Sequence, residues 1–290
     1  MDREDRKSFQ GNDFSRKSFP YYRRIFTWED RPSGSAVRVM QRHENLRFLY
    51  VEAGTVVVRT PDTSVETRAG QGVFINRNVV HSLEQKGEYR CVSFMFPAYF
   101  LEFYPGSPAQ RQVEELLGNE GLSVLLFDGS EDWHEKVLAG LETLSAQEES
   151  AGDQGCQYEI LTLWASVWSP IQRNVRPSAP RRRNAVSARM GKFLYFVEQH
   201  YREEITLEEL AADAGVSKSE CLRCFKQTLD TTPYRYIMDY RLSKAVDLLI
   251  NTDRQIGEIA VMTGFGQASY FGKCFRERLG CTPKEYRKGK

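Results

Sequence analysis

Long apolar runs are absent from this sequence of 290 residues, and no stretch approaches the roughly 20 apolar residues that a membrane-spanning helix needs. The first seven residues, Met1 to Lys7, carry too much charge for a secretory signal peptide. Histidine is scarce, with four residues, and the six cysteines do not form a disulfide framework in a chain of this size. These absences predict a soluble cytoplasmic protein.

The net charge of +1 hides an uneven distribution of charge along the chain. Residues 181–290 contain 20 Lys and Arg but only 14 Asp and Glu, a charge of +6, whereas residues 1–180 contain the other 20 basic residues and 25 acidic ones, a charge of −5. A basic C-terminal region is what neutralisation of nucleic-acid phosphates requires. Charge runs are usually solvated surfaces, so this imbalance needs a second signal beside it.

That signal is a helix-turn-helix pattern that occurs twice in the basic region, about fifty positions apart. The segment 232–236, Thr-Pro-Tyr-Arg-Tyr, returns at 282–286 as Thr-Pro-Lys-Glu-Tyr. Upstream residues coincide at offsets of 50 or 49: Phe225 with Phe275, Leu229 with Leu279, and the turn glycine Gly215 with Gly264. Because a helix-turn-helix unit places its second helix in a DNA groove, two copies predict a protein that binds double-stranded DNA.

The first copy contains its own boundary signals. Thr206 and Glu209 form a capping box at the start of the supporting helix, and Gly215 supplies the left-handed residue of the turn. A second capping box, Ser217 with Glu220, begins the first recognition helix. The side chains of that helix that can reach base edges or phosphates are Lys218, Ser219, Glu220 and Arg223.

The second copy begins its recognition helix at Gln267. Gln267 can bind adenine through two hydrogen bonds, Ala268 can contact a thymine methyl group, and Lys273 can bind phosphate or guanine. The complete predicted set in this copy is Gln267, Ala268, Ser269, Tyr270 and Lys273. The intervening helix, 234–250, spans about 25 Å at 1.5 Å per residue, of the order of the ~34 Å between successive major-groove faces. Both helices can then engage one side of a slightly bent duplex.

Cys221 and Cys224 form a Cys-x-x-Cys pair that invites a zinc or redox interpretation. They align with Phe271 and Cys274 of the second copy, at positions predicted to face the core. Free cysteine packs as a small hydrophobic residue. No second pair or nearby histidine completes a four-ligand zinc site. Buried, unreactive thiols are therefore the favoured interpretation.

Residues 188–288 resemble the DNA-binding domain of the AraC/XylS family of bacterial transcription regulators. The segments that carry the resemblance are Arg-Leu-Ser-Lys-Ala-Val-Asp-Leu-Leu at 241–249, Ile-Gly-Glu-Ile-Ala at 256–260, Gly264-Phe265, Ser-Tyr-Phe at 269–271, Phe275-Arg276 and Thr-Pro-Lys-Glu-Tyr-Arg at 282–287. The resemblance implies a domain that activates promoters as a dimer on repeated half-sites, through contact with RNA polymerase. Two residues depart from the family pattern: Gly266 stands where a serine cap is usual, and Cys221 where leucine is usual.

The N-terminal region is strand-like between Tyr21 and Phe96, with short β-branched and aromatic runs about ten residues apart. Runs at 47–51 and 55–60 flank a predicted turn at Glu52–Gly54, and two further runs lie at 70–76 and 89–96. This spacing predicts a small antiparallel barrel or sandwich.

Helical periodicity begins after Pro105, first in a short helix at 109–117. Two longer apolar stripes follow: Trp133, Val137, Leu141 and Leu144, then Ile160, Leu161, Trp164, Val167 and Trp168. Such stripes suit either core packing or a helical dimer interface, and the sequence leaves both open.

Two segments, 41–54 and 70–82, resemble the cupin motifs of sugar-responsive members of the same family. The motif's metal-ligand positions are occupied by Gln41, His43, Arg47 and His81. A cation in place of a carboxylate ligand argues against a divalent metal. Arg47, with His43 and His81, can instead bind an anionic or polyhydroxylated molecule. The alternative is that Arg47 pairs internally with Glu44 or Glu52 and that both histidines are packed core residues.

The predicted fold class is α+β and multidomain, with an N-terminal antiparallel cupin-like β-barrel plus helices and a C-terminal all-α double helix-turn-helix. The predicted boundaries are an arm at 1–19, the cupin-like domain at 20–105, a helical dimerisation segment at 106–173, a Pro- and Arg-containing linker at 174–187 and the DNA-binding domain at 188–290. The predicted function is a transcriptional regulator, an activator by resemblance, that responds to a small molecule and acts as a homodimer. We predict no catalytic residue, metal or cofactor. The alternatives are a cupin metalloenzyme fused to a DNA-binding domain and a thiol-based redox regulator.

Overall fold

The computed structural model describes residues 19–27, 40–119, 121–147, 154–176 and 185–288. Residues 19–27 and 42–176 belong to one compact unit, here called the sheet unit. Residues 185–288, with 40–41, belong to the other, here called the helical unit. The predicted arm, except for Phe19, and the basic run Arg181–Arg183 of the predicted linker lie outside the described residues.

The sheet unit contains six described strands that pair antiparallel throughout. They are β1 (Tyr22–Thr27), β2 (Leu46–Arg59), β3 (Ser64–Arg68), β4 (Gly72–Ile75), β5 (Ser82–Phe96) and β6 (Val124–Phe127). Their order is β1-β5-β2-β4-β6, with β3 also paired to β2. The α+β class is confirmed, but the described strands form an open sheet that ends at β1 and β6 instead of the predicted closed barrel.

The predicted turn at Glu52–Gly54 is wrong, because β2 runs through it without reversing. The pairing of β2 with β5 shifts register between Val51 and Thr55, and Gly54 adopts φ +74° there. A Cβ on Gly54 would lie 2.1 Å from the carbonyl oxygen of Glu88. The signal that predicted a turn is therefore a bulge. It lets the first half of β2 pair with β4 and the second half with β3.

Side chains on the two faces of the sheet enter two separate cores. On one face Trp164 is fully buried, with its ring 4.8 Å from Phe48 and 4.3 Å from Phe96, measured between centroids. On the other face Leu49, Val51 and neighbouring apolar residues form the second core. The period-two alternation along β2 assigns each residue to its core.

Helices cover the first of these cores: α1 (Pro108–Leu117), α2 (Asp132–Ala146) and α3 (Gln154–Asn174). The predicted apolar stripes lie on α2 and α3, and most of their residues are buried against the sheet. Gly140 permits close packing of α2 on α3, because a Cβ there would lie 2.4 Å from a methyl carbon of Val167. The stripes are therefore core. The segment predicted to be helical also contributes β6 to the sheet.

The helical unit contains seven described helices: α4 (Ala185–His200), α5 (Leu207–Asp213), α6 (Lys218–Leu229), α7 (Pro233–Asn251), α8 (Ile256–Met262), α9 (Ala268–Leu279) and α10 (Pro283–Lys288). The pairs α5–α6 and α8–α9 are the two predicted helix-turn-helix units, and α7 connects them. Pro233 occupies the first turn of α7, where a missing N–H leaves no helical bond unmade. In the described part of the chain, no helix combines the length and the apolar character that crossing a bilayer demands.

Three helix starts test the predicted caps. The Thr206 box is confirmed, since the Thr206 hydroxyl accepts from the Glu209 N–H at 3.2 Å and the Glu209 carboxylate accepts from the Thr206 N–H at 2.9 Å. Ser217 caps α6 in the same way, but the Glu220 carboxylate does not reach back, so the second box is half formed. The cap residue of α9 is Gln267, so Gly266 does not occupy the cap position.

One aromatic contact repeats with the sequence, that between the recognition-helix phenylalanine and the tyrosine after each Thr-Pro, while the second neighbour of each phenylalanine differs. Phe225 lies 5.5 Å from Phe193 and 5.6 Å from Tyr236, between ring centroids. In the second unit its counterpart Phe275 lies 5.5 Å from Phe271 and 5.6 Å from Tyr286. Each helix-turn-helix unit therefore has its own cluster of packed aromatic side chains on the inner face of its recognition helix.

The two turn glycines give a matched pair of variants. Both are left-handed, with φ +69° at Gly215 and +82° at Gly264, but only at Gly264 would a Cβ meet backbone, 2.4 Å from the Tyr201 carbonyl oxygen. Alanine at either site costs roughly 1–2 kcal/mol for the left-handed conformation. We expect Gly264→Ala to cost about 1–3 kcal/mol more, because a backbone carbonyl must move. Equal losses of unfolding free energy in urea titrations would contradict this packing.

Candidate DNA-binding surface and candidate effector site

Three of the four residues predicted on the first recognition helix are exposed on α6: Lys218, Ser219 and Arg223. The Lys218 ammonium pairs with the Glu208 carboxylate of α5, and both side chains are more than half exposed. Exposed pairs of this kind contribute little to stability, so Lys218 can exchange its partner for a phosphate.

The fourth residue, Glu220, is held by neighbouring side chains. One of its carboxylate oxygens accepts from the Arg189 guanidinium of α4 at 2.6 Å, and the other accepts from Arg223 at 2.6 Å. The Glu220 side chain is 19% exposed. In this position it ties α6 to α4 and orients Arg223, and its acceptor oxygens are already occupied.

On α9 the predicted residues Gln267, Ala268, Ser269, Tyr270 and Lys273 are all exposed. The Gln267 side chain makes no capping bond to α9, so its amide is available to a partner outside the protein. Lys273 lies 4.0 Å from a Glu277 oxygen, at the limit of an ion pair. Tyr270 differs from the others, because its hydroxyl lies 2.8 Å from the hydroxyl of Tyr234.

Helical periodicity adds three residues to the exposed faces of α6 and α9 that the sequence analysis did not predict as DNA contacts. Leu222, with 42% exposure, and Lys226 lie three and seven positions after Ser219, on the face that also carries Arg223. Arg276 is exposed on α9 and corresponds to Lys226 at an offset of 50. The i, i+3, i+4, i+7 spacing, applied to both copies, would have identified them.

The Cys221 and Cys224 side chains lie on the inner face of α6 and are fully buried. Burial raises the pKa of the Cys221 thiol to about 11. Burial, followed by the Glu220 carboxylate, also raises the pKa of Cys224. Reactive cysteines need an exposed thiolate, so this geometry favours structural thiols over a redox sensor.

The three residues of the predicted effector site come together in the sheet unit. The Arg47 guanidinium donates to the Ser93 hydroxyl at 3.0 Å and to Nε2 of His81 at 3.3 Å. The rings of His43 and His81 are 5.0 Å apart and nearly perpendicular. Arg47 is 6% exposed, His43 3% and His81 not at all.

Hydrogen bonds assign the tautomers of both histidines. Nδ1 of His43 donates to the Asn45 carbonyl at 2.8 Å, and Nδ1 of His81 donates to the Val79 carbonyl at 2.9 Å. Each Nε2 therefore carries a lone pair. That of His81 accepts from Arg47, while the buried Nε2 of His43 finds no partner among the residues that the structure describes. Burial first, then Arg47, lowers the pKa of His43 to about 3, and burial lowers that of His81 as well, so both rings are neutral.

Arg47 carries a buried positive charge. The alternative pairing with Glu52 is wrong, because Glu52 pairs with Arg90, and within the described ranges no carboxylate forms an ion pair with Arg47. Burial lowers the pKa of Arg47 only to about 10, so the guanidinium stays charged at neutral pH. Among described side chains, no group of three or more His, Cys, Asp and Glu residues converges as a metal site would require.

A groove of about 680 Å³ lies elsewhere in the sheet unit, between α1 and α3. Its charged lining residues, Glu115, Arg173 and Arg176, are exposed, and a hydrogen bond of 2.6 Å joins Gln172 to Gln112 beside them. The buried charge at Arg47 makes the histidine–arginine cluster the stronger candidate for an effector site.

Two family models match this chain, one in each half. A family model described as an AraC-like ligand binding domain matches residues 29–126, and one described as a helix-turn-helix domain matches residues 210–289. An HTH-type transcriptional regulator of Bacillus subtilis (strain 168), YdeC, is 27% identical over 254 residues, 85% of this chain and 84% of YdeC. The transcriptional activator RhaS of Klebsiella pneumoniae (strain 342) is 36% identical over 157 residues, 54% of this chain and 56% of RhaS.

Solved structures share the fold at low sequence identity. Apo ToxT from Vibrio cholerae strain SCE256 has a TM-score of 0.55 at 13% identity and covers 92% of this chain and 97% of its own. ToxT bound to an unsaturated fatty acid has a TM-score of 0.53 at 13% identity, with 92% and 94% coverage. At this identity the likeness establishes the fold.

The buried neutral state of His43 predicts a pH dependence of stability. In the unfolded chain His43 takes up a proton below about pH 6.5, whereas the folded site resists protonation until about pH 3. Stability therefore falls as the pH drops through this window, by up to about 1.4 kcal/mol per pH unit for one histidine. We expect His43→Gln to flatten the loss of unfolding free energy between pH 7 and pH 5. The comparison variant is His200→Gln, at a partly exposed histidine of α4 outside this cluster. An unchanged slope in His43→Gln would refute the assignment.

Proposed function

We propose, for a chain that belongs to the AraC family of DNA-binding transcriptional regulators, that α6 and α9 read two successive major-groove faces of one operator. The observation that carries this proposal is the structural repeat, which presents exposed polar residues at equivalent positions of two recognition helices. The helix α7 between them has 19 residues, or about 28 Å at 1.5 Å per residue. That length is of the order of one helical turn of DNA, ~34 Å.

The exposed residues divide into two roles. Gln267 has the amide geometry to read adenine, and Arg223, oriented by Glu220, can donate two hydrogen bonds to guanine. Lys218, Lys226 and Lys273 are exposed cations that suit phosphate contacts. Ser219 and Ser269 occupy equivalent positions at which a hydroxyl can contact base or backbone.

We infer that the effector site is the cluster of Arg47, His43 and His81. The buried guanidinium favours an anion, and the lone pair on Nε2 of His43 favours a hydrogen-bond donor. A small molecule with both a carboxylate and a hydroxyl group meets both requirements. ToxT is recorded with a fatty acid, which is also a carboxylate, but the likeness to ToxT extends to the fold alone. The proposed ligand class is inferred from the cluster of Arg47, His43 and His81 alone.

Regulation follows if the effector binds one state of the protein better than another, because it then shifts the population toward that state. We propose that this state is a DNA-competent homodimer in the cytoplasm that activates transcription through RNA polymerase. The similarity to RhaS, a transcriptional activator, supports the activating role. The apolar stripes of α2 and α3 are buried, so a dimer would use their outer faces. We propose no catalytic activity, since the relatives are transcriptional regulators.

The roles of two α9 residues can be separated on DNA. Sites selected from random duplex DNA should contain two contact blocks, and Gln267→Ala should weaken binding to them by about 1–3 kcal/mol while relaxing the preference at one base pair. Binding of Gln267→Ala to random DNA should not change. Lys273→Ala should weaken binding to both kinds of DNA and reduce the salt slope by about 1. Equal losses of Gln267→Ala on selected and random DNA, measured by fluorescence anisotropy, would contradict the base-reading role.

The free energy of unfolding distinguishes an arginine kept for ligand binding from one kept for stability, because removing the charge destabilises only the second. Because no carboxylate of the described residues pairs with Arg47, Arg47→Met should leave the stability of the effector-free protein unchanged or raise it, since a desolvated charge is removed. The control is Arg278, which donates to both carboxylate oxygens of Asp239 in the helical unit. Arg278→Met should cost roughly 1–3 kcal/mol by leaving Asp239 unpaired. A comparable loss in Arg47→Met, measured by urea unfolding, would make Arg47 a structural residue.

A further inference from the structure

The two helix-turn-helix units are tied together at two places besides their shared helix α7. We propose that Arg241 and Tyr234 are positioning residues that lock α9 to the first unit, so that both recognition helices meet DNA as one rigid body of fixed spacing. This inference rests on the proposed function. Neither residue needs to contact DNA to act in this way.

The first tie joins α7 to the end of α4. Nε of Arg241 donates to the Tyr201 carbonyl oxygen at 2.7 Å, and Nη2 donates to the Glu203 carbonyl oxygen at 2.5 Å. Tyr201 and Glu203 follow His200, the last residue of α4, and a cation is favoured near the C-terminal end of a helix, so this guanidinium suits its position. The Tyr201 ring also packs 5.3 Å from Tyr240 of α7. Because α4 packs on α6 through Phe193 and Phe225, Arg241 holds α7 against the first recognition unit.

The turn of the second unit packs on the same point. A Cβ on Gly264 would lie 2.4 Å from the Tyr201 carbonyl oxygen and 2.9 Å from Nε of Arg241. In the equivalent turn of the first unit, at Gly215, no atom of the described residues lies within 4 Å of such a Cβ. This asymmetry between two otherwise repeated turns shows that the Gly264 turn packs directly on the first helix-turn-helix unit, with Arg241 beside the contact.

The second tie joins α7 to the start of α9. The Tyr234 hydroxyl, in the first turn of α7, lies 2.8 Å from the Tyr270 hydroxyl, in the first turn of α9. The two side chains are 65% and 43% exposed, so burial of the rings does not explain their contact. This bond makes Tyr270 part of the link between the units as well as a candidate DNA contact. A continuous chain of contacts then runs from α6 through α4, Arg241, α7 and Tyr234 to α9.

Rigid coupling has a measurable consequence on DNA. One inserted base pair turns the second contact block by about 34–36° around the duplex, since a helical turn takes 10–10.5 base pairs. A locked pair of helices cannot follow that rotation, so affinity should fall steeply when the spacing changes. A loosened pair can follow the rotation, so its affinity should depend less on the spacing between the two contact blocks.

The experiment compares Tyr234→Phe and Arg241→Gln with the wild type in the full-length chain. The DNA probes are the selected two-block site, the same site with one base pair inserted or removed between the blocks, and a single block. We expect the wild-type preference for the selected spacing to fall about 2- to 5-fold in Tyr234→Phe, since one surface hydrogen bond is lost. It should fall further in Arg241→Gln. Affinity for the single block should stay within about two-fold in both variants.

A matched control removes a phenol hydroxyl elsewhere: Tyr158→Phe, on the outer face of α3, should keep the wild-type spacing preference. An unchanged preference in both test variants would overturn the proposal. So would an equal loss on all DNA probes, because that is the result of general destabilisation.

Amide hydrogen exchange of the free protein tests whether α6 and α9 are coupled, and this test needs no DNA. In the wild type, α6 and α9 should open together, whereas in Arg241→Gln the amides of α9 should exchange faster and those of α6 should not. Acceleration of both helices alike, or of neither, would overturn the lock. If site selection yields no two-block sequence, the proposed function fails, and the exchange result still decides the coupling.

Discussion

The contact at the Tyr201 carbonyl is the constraint on which the DNA-binding account depends. Arg241 donates to this oxygen, and the Gly264 turn packs against it with no room for a side chain. Two helix-turn-helix units joined only by α7 could rotate relative to each other. Their recognition helices, α6 and α9, would then contribute to binding independently. The carbonyl, the guanidinium and the glycine instead fix one unit against the other. If α6 and α9 read DNA as proposed, this geometry makes two weak contacts act as one contact with a long site of set spacing.

The sheet unit contains the opposite kind of feature, a buried group that its surroundings do not satisfy. Arg47 keeps its charge next to two neutral histidines, and the nearest hydrogen-bond partners are neutral. Such a group costs stability unless a ligand compensates it. We interpret the cluster as a site whose polar groups complement an anionic, hydroxyl-bearing molecule. In the proposed site, the bonds that fix the histidine tautomers leave the Nε2 lone pair of His43 to accept from a donor of the ligand.

Local signals in the sequence predicted the helical unit well, and long-range contacts explain most of what was missed. The Thr206 capping box, Pro233 and the repeated apolar positions all depend on near neighbours in the chain, and the structure confirms them. The Glu52–Gly54 bulge resembles a turn locally and becomes a strand only because β5 pairs with both of its sides. The partners of Glu220 and Arg241 are likewise distant in sequence, at Arg189 and Tyr201, so their roles needed the fold.

The most direct test of the central claim is hydroxyl-radical footprinting of the full-length protein on a selected site. Two recognition helices held as one body should protect two tracts of backbone on one face of the duplex, centred about 10 base pairs apart. Both tracts should appear over the same range of protein concentration, because rigidly coupled units bind together. A single protected tract, or two tracts that appear at clearly different concentrations, would contradict the account.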